Sequence, residues 1–356
     1  MMNNYNLTYR IIDTLKRSES NDKDSQFCQT YLINDEKEKN ETKFILRLID
    51  LENLTNLTEF IKDISWYQQL NHLNLMSLKD CFLIDTKLNL IKPYASFGSC
   101  ADLLNSNPYG ICEQLIAHII WQTLQAICYL QDRHIMHRGI ASKNIYLCGN
   151  GRVLLDNFSH CISMISPYDG KLRKQIYDYT DKLKDQVLYL APEVIYQHTD
   201  GYNFKSDIYS LGIVACELAN GCNTYINMTY ENLSMLYAKI QGSEPMLLDQ
   251  TQLTEEMITL SDNSNSLYIE EIKKRKYTRE FHSFIKSCVS TRLELRSSSD
   301  ELQMHSFFKS QKRLNHDQHL LNNDMAKLLE IYKKKESINT EIKNIDELFG
   351  KYKHSS

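Results

Sequence analysis

A chain of 356 residues exceeds the usual single domain, so two domains or one large two-lobed domain is expected. With 42% hydrophobic and 24% charged residues, only 11 Gly and 5 Pro, it is neither fibrous nor wholly disordered. A net charge of -4 leaves no electrostatic footprint for nucleic acid or an anionic membrane surface, and the 10 cysteines, without a CxxC pair or a zinc-spaced Cys/His cluster, read as reduced thiols.

The first residues, 1–8, are an extension without an apolar leader, and no apolar run approaches the roughly eighteen residues that a membrane span needs. A cytoplasmic location is expected, with the nucleus also open. Strands are predicted at Thr8 to Leu15, Phe27 to Ile33 and Lys43 to Leu51, with the polar run Ser18 to Ser25 as a turn. From Leu57 to Leu70 the apolar positions Leu57, Phe60, Ile61, Ile64, Tyr67 and Leu70 recur every three or four residues, the spacing of an amphipathic helix. Strand patterns return at Phe82 to Ile84 and at Leu88 to Tyr94.

Beyond Pro93 the pattern turns helical. Glu113 to Arg133 and Ser206 to Asn220 are apolar on most faces, which places both in a core, and Gly221 is a fitting stop for the second. The sum is an α+β chain: a small β-rich lobe at about 9–93, then a larger, mainly helical lobe at about 97–309. Residues 250–276, with the basic run Lys273 to Lys276, read as an exposed polar insertion. The tail, 310–356, is expected to be part helical and part flexible. In it Leu321, Met325, Leu328, Leu329 and Tyr332 form one stripe, expected to dock on the chain's own domain.

His137-Arg-Gly-Ile-Ala-Ser-Lys-Asn144, followed by Leu154-Leu-Asp-Asn-Phe-Ser159, resembles the catalytic loop and metal-binding motif of protein kinases. Ala191-Pro-Glu193, Ser206 to Gly212 and Arg296 follow in that family's order, so the two-lobed protein kinase fold is implied over residues 9–309. Lys205 to Gly221, with Ile162 to Ser166, Pro245 to Asp249 and His305 to Lys309, is similar to the Ste20-related adaptor pseudokinases.

The residues that would carry phosphoryl transfer are altered one by one. A phosphate-covering loop needs glycines so that backbone amides can approach the anion, yet the first glycine is Gly98, and Lys16 to Ser25 carries Glu19, Asp22 and Asp24 instead. Gly139 and Ala141 stand at the positions of the catalytic aspartate and the following lysine, and Asn157 at that of the metal-binding aspartate. A positioned acid or base is worth roughly 10²- to 10⁴-fold in rate, and glycine supplies none of it. Asn144 is kept as the second metal ligand of the family. Arg47 takes the place of the strand lysine and Asp63 that of its helix partner; either the two pair or they face solvent. Asp156 lies one position early, and strand alternation would aim it away from the site.

What the resemblance implies about the rest is consistent with a binding protein. His137, Arg138, Glu193, Asp207 and Arg296 match structural positions of the kinase fold, with Glu193 and Arg296 as a buried pair and Asp207 capping the catalytic-loop backbone. Members of the family bind and allosterically activate a liver kinase B-type Ser/Thr kinase together with a helical-repeat scaffold protein. The implied interface is the segment Ser159 to Leu190, with Ile165, Tyr168, Ile176, Tyr177, Tyr179 and Tyr189 as its contacts. The tail departs from the family: Asn344 to Leu348 is similar to the run before a Trp-Glu-Phe docking element, but Phe349 to Ser356 lacks the tryptophan, which puts scaffold docking in doubt. No cofactor is required; ATP, where it binds, would be a weakly held structural ligand without magnesium, in a degenerate pocket of Arg47, Asp63 and Asn144. Two rivals stay open, a weakly active kinase that recruits Asp156 beside Asn144 and a scaffold with unrelated partners.

Overall fold

The computed structural model describes residues 9–15, 28–35, 42–54, 56–222, 225, 232–245, 247–252, 266–313 and 322–333. The extension 1–8, the run Lys16 to Ser25, Leu321, residues 253–265 of the polar insertion and the tail end 334–356 lie outside them. The chain divides into two units, Met1–Ser96 and Phe97–Ser356.

In the first unit β1 (Tyr9–Leu15), β2 (Cys28–Asp35), β3 (Lys43–Asp50), β4 (Asp80–Ile84) and β5 (Lys87–Pro93) form one antiparallel sheet in the order β1-β2-β3-β5-β4. Helix α1 (Leu57–Gln69) lies between β3 and β4 in the chain. Alternation along β3 feeds both faces of the sheet. Phe44, Leu46 and Leu48 pack with Ile33 and Ile91, while Ile49 joins Leu90 against Phe60 and Ile64 of α1. Arg47 therefore shares the face that α1 covers. Lys92 ties α1 to β5, its ammonium donating to the Tyr67 hydroxyl at 2.9 Å and lying 4.2 Å from that ring's centre.

The second unit is mainly helical. It runs through α2 (Cys100–Ser106), α3 (Glu113–Asp132), the short strands β6 (Ile135–Met136), β7 (Ile145–Leu147), β8 (Val153–Leu155) and β9 (Ile162–Ser163), then α4 (Pro192–Ile195) and α5 (Lys205–Asn220). There follow α6 (Asn232–Ile240), α7 (Ser266–Lys274), α8 (Arg279–Val289), α9 (Ser299–Gln303) and α10 (Lys309–Arg313), and a further helix over 322–333. In α5 every residue from Ser206 to Asn220 is buried except Glu217, as its nearly unbroken apolar circumference requires.

A helix end buried this deeply must place its last carbonyls on donors. Gly221, at φ +80°, returns its N–H to Glu217, the N–H of Ile111 donates to Leu218, and both Arg275 and the Tyr277 hydroxyl donate to Ala219 at 2.7 and 2.8 Å. Gly110 belongs to the same contact: at φ +78°, a Cβ there would lie 2.1 Å from the Ala219 carbonyl oxygen. The reading of 250–276 as an exposed insertion fits Gln250 to Gln252, Glu270, Lys273, Lys274 and Lys276, which are exposed, and is corrected at Ile272 and Arg275. Its second half is the helix α7, with Ile272 2% exposed, and Arg275 of the basic run caps α5.

The helix over 322–333 docks on its own unit. Met325, Ala326 and Leu329 are buried, the Tyr332 hydroxyl accepts the N–H of Cys112 at 2.9 Å, and Gln122 of α3 donates to the Asn322 side chain at 3.3 Å. Among the described residues no helix is long and apolar enough to cross a membrane.

Candidate functional site

The degenerate catalytic loop leaves β6 at Met136 and reaches β7 through a single helical turn, Ser142–Asn144. Asp207, buried in the first turn of α5, fixes its start by accepting the N–H groups of His137 and Arg138, each at 2.8 Å. Arg138 is held there at φ +58°, a left-handed conformation that few non-glycine residues adopt. Burial pushes the Asp207 carboxyl up to about 6, against the pull of those two N–H groups. His137 is fully buried, meets the edge of Phe158 at 5.7 Å between ring centres, and accepts the N–H of Gly139 on Nδ1. Burial, and after it the neighbouring His160, lowers His137 to about 3.

These displacements have opposite signs. The stability contributed by neutral His137 is present above its unfolded value near 6.5 and is lost as pH falls toward 3, while Asp207 favours the folded state as pH falls from 6 toward 3.8. A His137→Asn variant is therefore expected to lose about 2 kcal/mol less stability than the unaltered protein between pH 7 and pH 5. Urea unfolding at the two pH values checks this; equal losses would contradict it.

At the position of the catalytic aspartate Gly139 presents no side chain, and the space is not open. A Cβ built there would lie 3.1 Å from Cδ2 of His160 and 3.4 Å from the ring of His137. Ala141 is fully buried. Asn144 and Asn157, the two positions of the family's metal ligands, are turned toward each other. Asn157 Nδ2 donates to Asn144 Oδ1 at 3.3 Å, Asn144 Nδ2 donates to the Gly139 carbonyl at 2.7 Å, and the Ser159 hydroxyl donates to Asn157 Oδ1 at 2.7 Å. Both amide oxygens already accept a hydrogen bond and neither is anionic, a poor fit to the carboxylate and water shell of Mg²⁺. Asp156 is buried, and its charge acts on His137. Among the described residues no group of three or more His, Cys, Asp or Glu is placed to hold a metal ion. In the first unit Arg47 is exposed on β3 and Asp63 is half-buried on α1.

The segment that follows is anchored at its far end by a pair remote in sequence. Arg296, 1% exposed, forks onto Glu193 with Nη1 to Oε1 at 2.6 Å and Nη2 to Oε2 at 3.0 Å. Arg138 reaches the middle of the segment at Asp178 and, beyond the segment, the hydroxyl of Tyr202. Two residues expected at an interface are instead core. Ile176 is 1% exposed, its backbone bridged to Tyr202, and Tyr189 is buried with its hydroxyl shared between Ser142 and Glu217, each at 2.9 Å. Glu217, a half-buried acid in an otherwise apolar stretch of α5, is the sign that would have placed Tyr189 inside. Tyr179 is half-buried and donates to the His198 carbonyl. Ile165, Tyr168 and Tyr177 are exposed, Tyr168 almost completely.

Known proteins resemble this chain over most of its length. The protein kinase domain family matches residues 27–308. The STE20-related kinase adapter protein alpha of Bos taurus is 30% identical over 290 residues, 75% of this chain and 77% of that protein. The STE20-related kinase adapter protein strd-1 of Caenorhabditis elegans is 29% identical over 276 residues, 77% of this chain and 69% of that protein. The STE20-related kinase adapter protein beta of Homo sapiens is 27% identical over 299 residues, covering 78% and 71%. The chain belongs to the protein kinase superfamily and, within it, to the STE20-related kinase adapter family.

Proposed function

We propose that this protein is a catalytically inactive adaptor that binds a liver kinase B-type Ser/Thr kinase and raises its activity allosterically. The observation that carries the reading is at Gly139: no proton acceptor stands there, and the rings of His160 and His137 lie against the place where a side chain would begin. The intact supports of the same loop, Asp207 beneath it and Arg296 on Glu193, favour a fold kept for binding rather than for transfer. The partner surface is the exposed part of the segment after β8, where Ile165, Tyr168 and Tyr177 offer apolar and aromatic contact area at low entropic cost. Mg²⁺ is not used, since the amide oxygens of Asn144 and Asn157 already accept from Asn157 Nδ2 and the Ser159 hydroxyl and lack charge. ATP serves at most as a weakly held structural ligand. A helical-repeat scaffold would dock by a route other than a Trp-Glu-Phe tail, and the complex works in the cytoplasm, with the nucleus as a second compartment.

Mixing the purified protein with a liver kinase B-type kinase tests this. The expected result is co-elution and a rise in that kinase's activity toward a peptide substrate, reduced by a Tyr168→Ala, Tyr177→Ala double variant. No co-elution and no change in activity would remove the proposal.

A further inference from the structure

Kinases whose activation segment is switched by phosphorylation order that segment through new pairs between arginine and phosphate. In this chain Arg138, the arginine that meets this segment, is already occupied from within. The Arg138 side chain is 8% exposed, and its Nη1 lies 3.2 Å from Asp178 Oδ2, 3.2 Å from the Asp178 carbonyl oxygen and 2.8 Å from the Tyr202 hydroxyl. Its Nε donates to the His160 carbonyl at 2.6 Å. The Tyr202 hydroxyl closes the ring by donating to the Asp178 carbonyl at 2.5 Å.

The segment is stitched down around this point. Ile176 and Tyr202 exchange backbone hydrogen bonds at 2.8 and 3.0 Å, and the Tyr179 and Tyr202 rings meet at 5.4 Å between centres. Upstream, the Arg173 N–H donates to the Met164 carbonyl and its Nη2 donates to the Ser163 carbonyl at 2.5 Å. A guanidinium this buried is costly without an anion, so whatever meets Arg138 decides whether the segment lies down.

We propose that Asp178 is a built-in substitute for a phosphate: its carboxylate occupies Arg138 permanently and orders the segment without any phosphorylation. Asp178 is then a positioning residue. The surface carrying Ile165, Tyr168 and Tyr177 is set as soon as the chain folds, and a phosphate added to a neighbouring hydroxyl finds its arginine already taken. The inference rests on contacts within the second unit and stands whether or not the adaptor reading does.

Hydrogen exchange on the full chain tests it without a partner. Protein treated with a broad-specificity phosphatase, its phosphate-free mass confirmed, is compared with untreated protein and with Asp178→Ala, following the amides of Arg173, Ile176 and Tyr202, with those of α5 as the internal reference. Phosphatase treatment is expected to change nothing. Asp178→Ala is expected to lower protection of the segment amides roughly tenfold, the size of a charge-assisted hydrogen bond lost beside a buried charge, and to leave α5 unaltered. Should Asp178→Ala fail to fold, the isosteric Asp178→Asn carries the same expectation. Loss of protection on phosphatase treatment as large as that in the variant, or unchanged protection in a folded variant, would overturn the proposal.

Discussion

An Arg296→Met variant is expected to lose about 3–5 kcal/mol of stability in the second unit, the cost of breaking a buried ion pair by removing one partner. Arg296 does more than neutralise Glu193. Besides its two bonds to that carboxylate it donates to the carbonyls of Lys205 at 3.1 Å and Ser290 at 2.9 Å, and its guanidinium carbon lies 5.0 Å from the Tyr209 ring centre. One side chain thus holds together the Ala-Pro-Glu turn, the start of α5 and the end of α8. Removing both charges in an Arg296→Met, Glu193→Leu double variant is expected to recover part of the loss, because an uncompensated buried charge is worse than none. Urea unfolding followed by tryptophan fluorescence measures both variants. A single-variant loss below about 1 kcal/mol, the ordinary worth of an exposed pair, would contradict the anchoring role.

A second large effect, about 3 kcal/mol, is expected for Lys239→Met, and no charged partner is involved. Lys239 of α6 is fully buried, and its ammonium donates to the carbonyls of Val187 at 3.3 Å, Leu190 at 3.0 Å and Leu188. The ring centres of Tyr209 and Tyr225 lie 5.3 and 5.4 Å away. Burial pulls the amine down to about 7, while the carbonyls and ring faces act for the charged form. Methionine keeps the volume and leaves the carbonyls without their donor, just ahead of the Ala-Pro-Glu turn. The loss is therefore expected to fall first on exchange at Leu190 and Tyr189, whose amides bond to Gln186. Unaltered exchange at those amides in the variant would show that the ammonium does not hold this stretch.

Much of the scaffold was legible in the sequence because it rests on short-range pattern. Alternation in β3, the apolar circumference of α3 and α5 and the Gly221 stop each follow from neighbouring residues, and all were found within a residue or two of their observed ends. Features that depend on a distant partner were not. Ile176 and Tyr189 looked like interface residues in a run of aromatics, and only Tyr202 and Glu217, elsewhere in the chain, put them inside. Arg275 read as part of a solvated basic run, although its length lets it span to the end of α5. Lys239 and Asp178 gave no sign at all, since a charged residue between apolar or aromatic neighbours looks the same exposed or buried. The replacements expected at Gly139, Ala141 and Asn157 rest on residue type alone, while the approach of His160 to Gly139 became visible only in three dimensions.

The most direct test is incorporation of labelled phosphate from ATP and magnesium by the purified protein with no other kinase present. The expected result is no transfer to itself or to a general substrate above that of an Asp156→Ala, Asn144→Ala double variant. Robust, magnesium-dependent incorporation that disappears in the double variant would contradict inactivity and restore Asp156 as a working ligand.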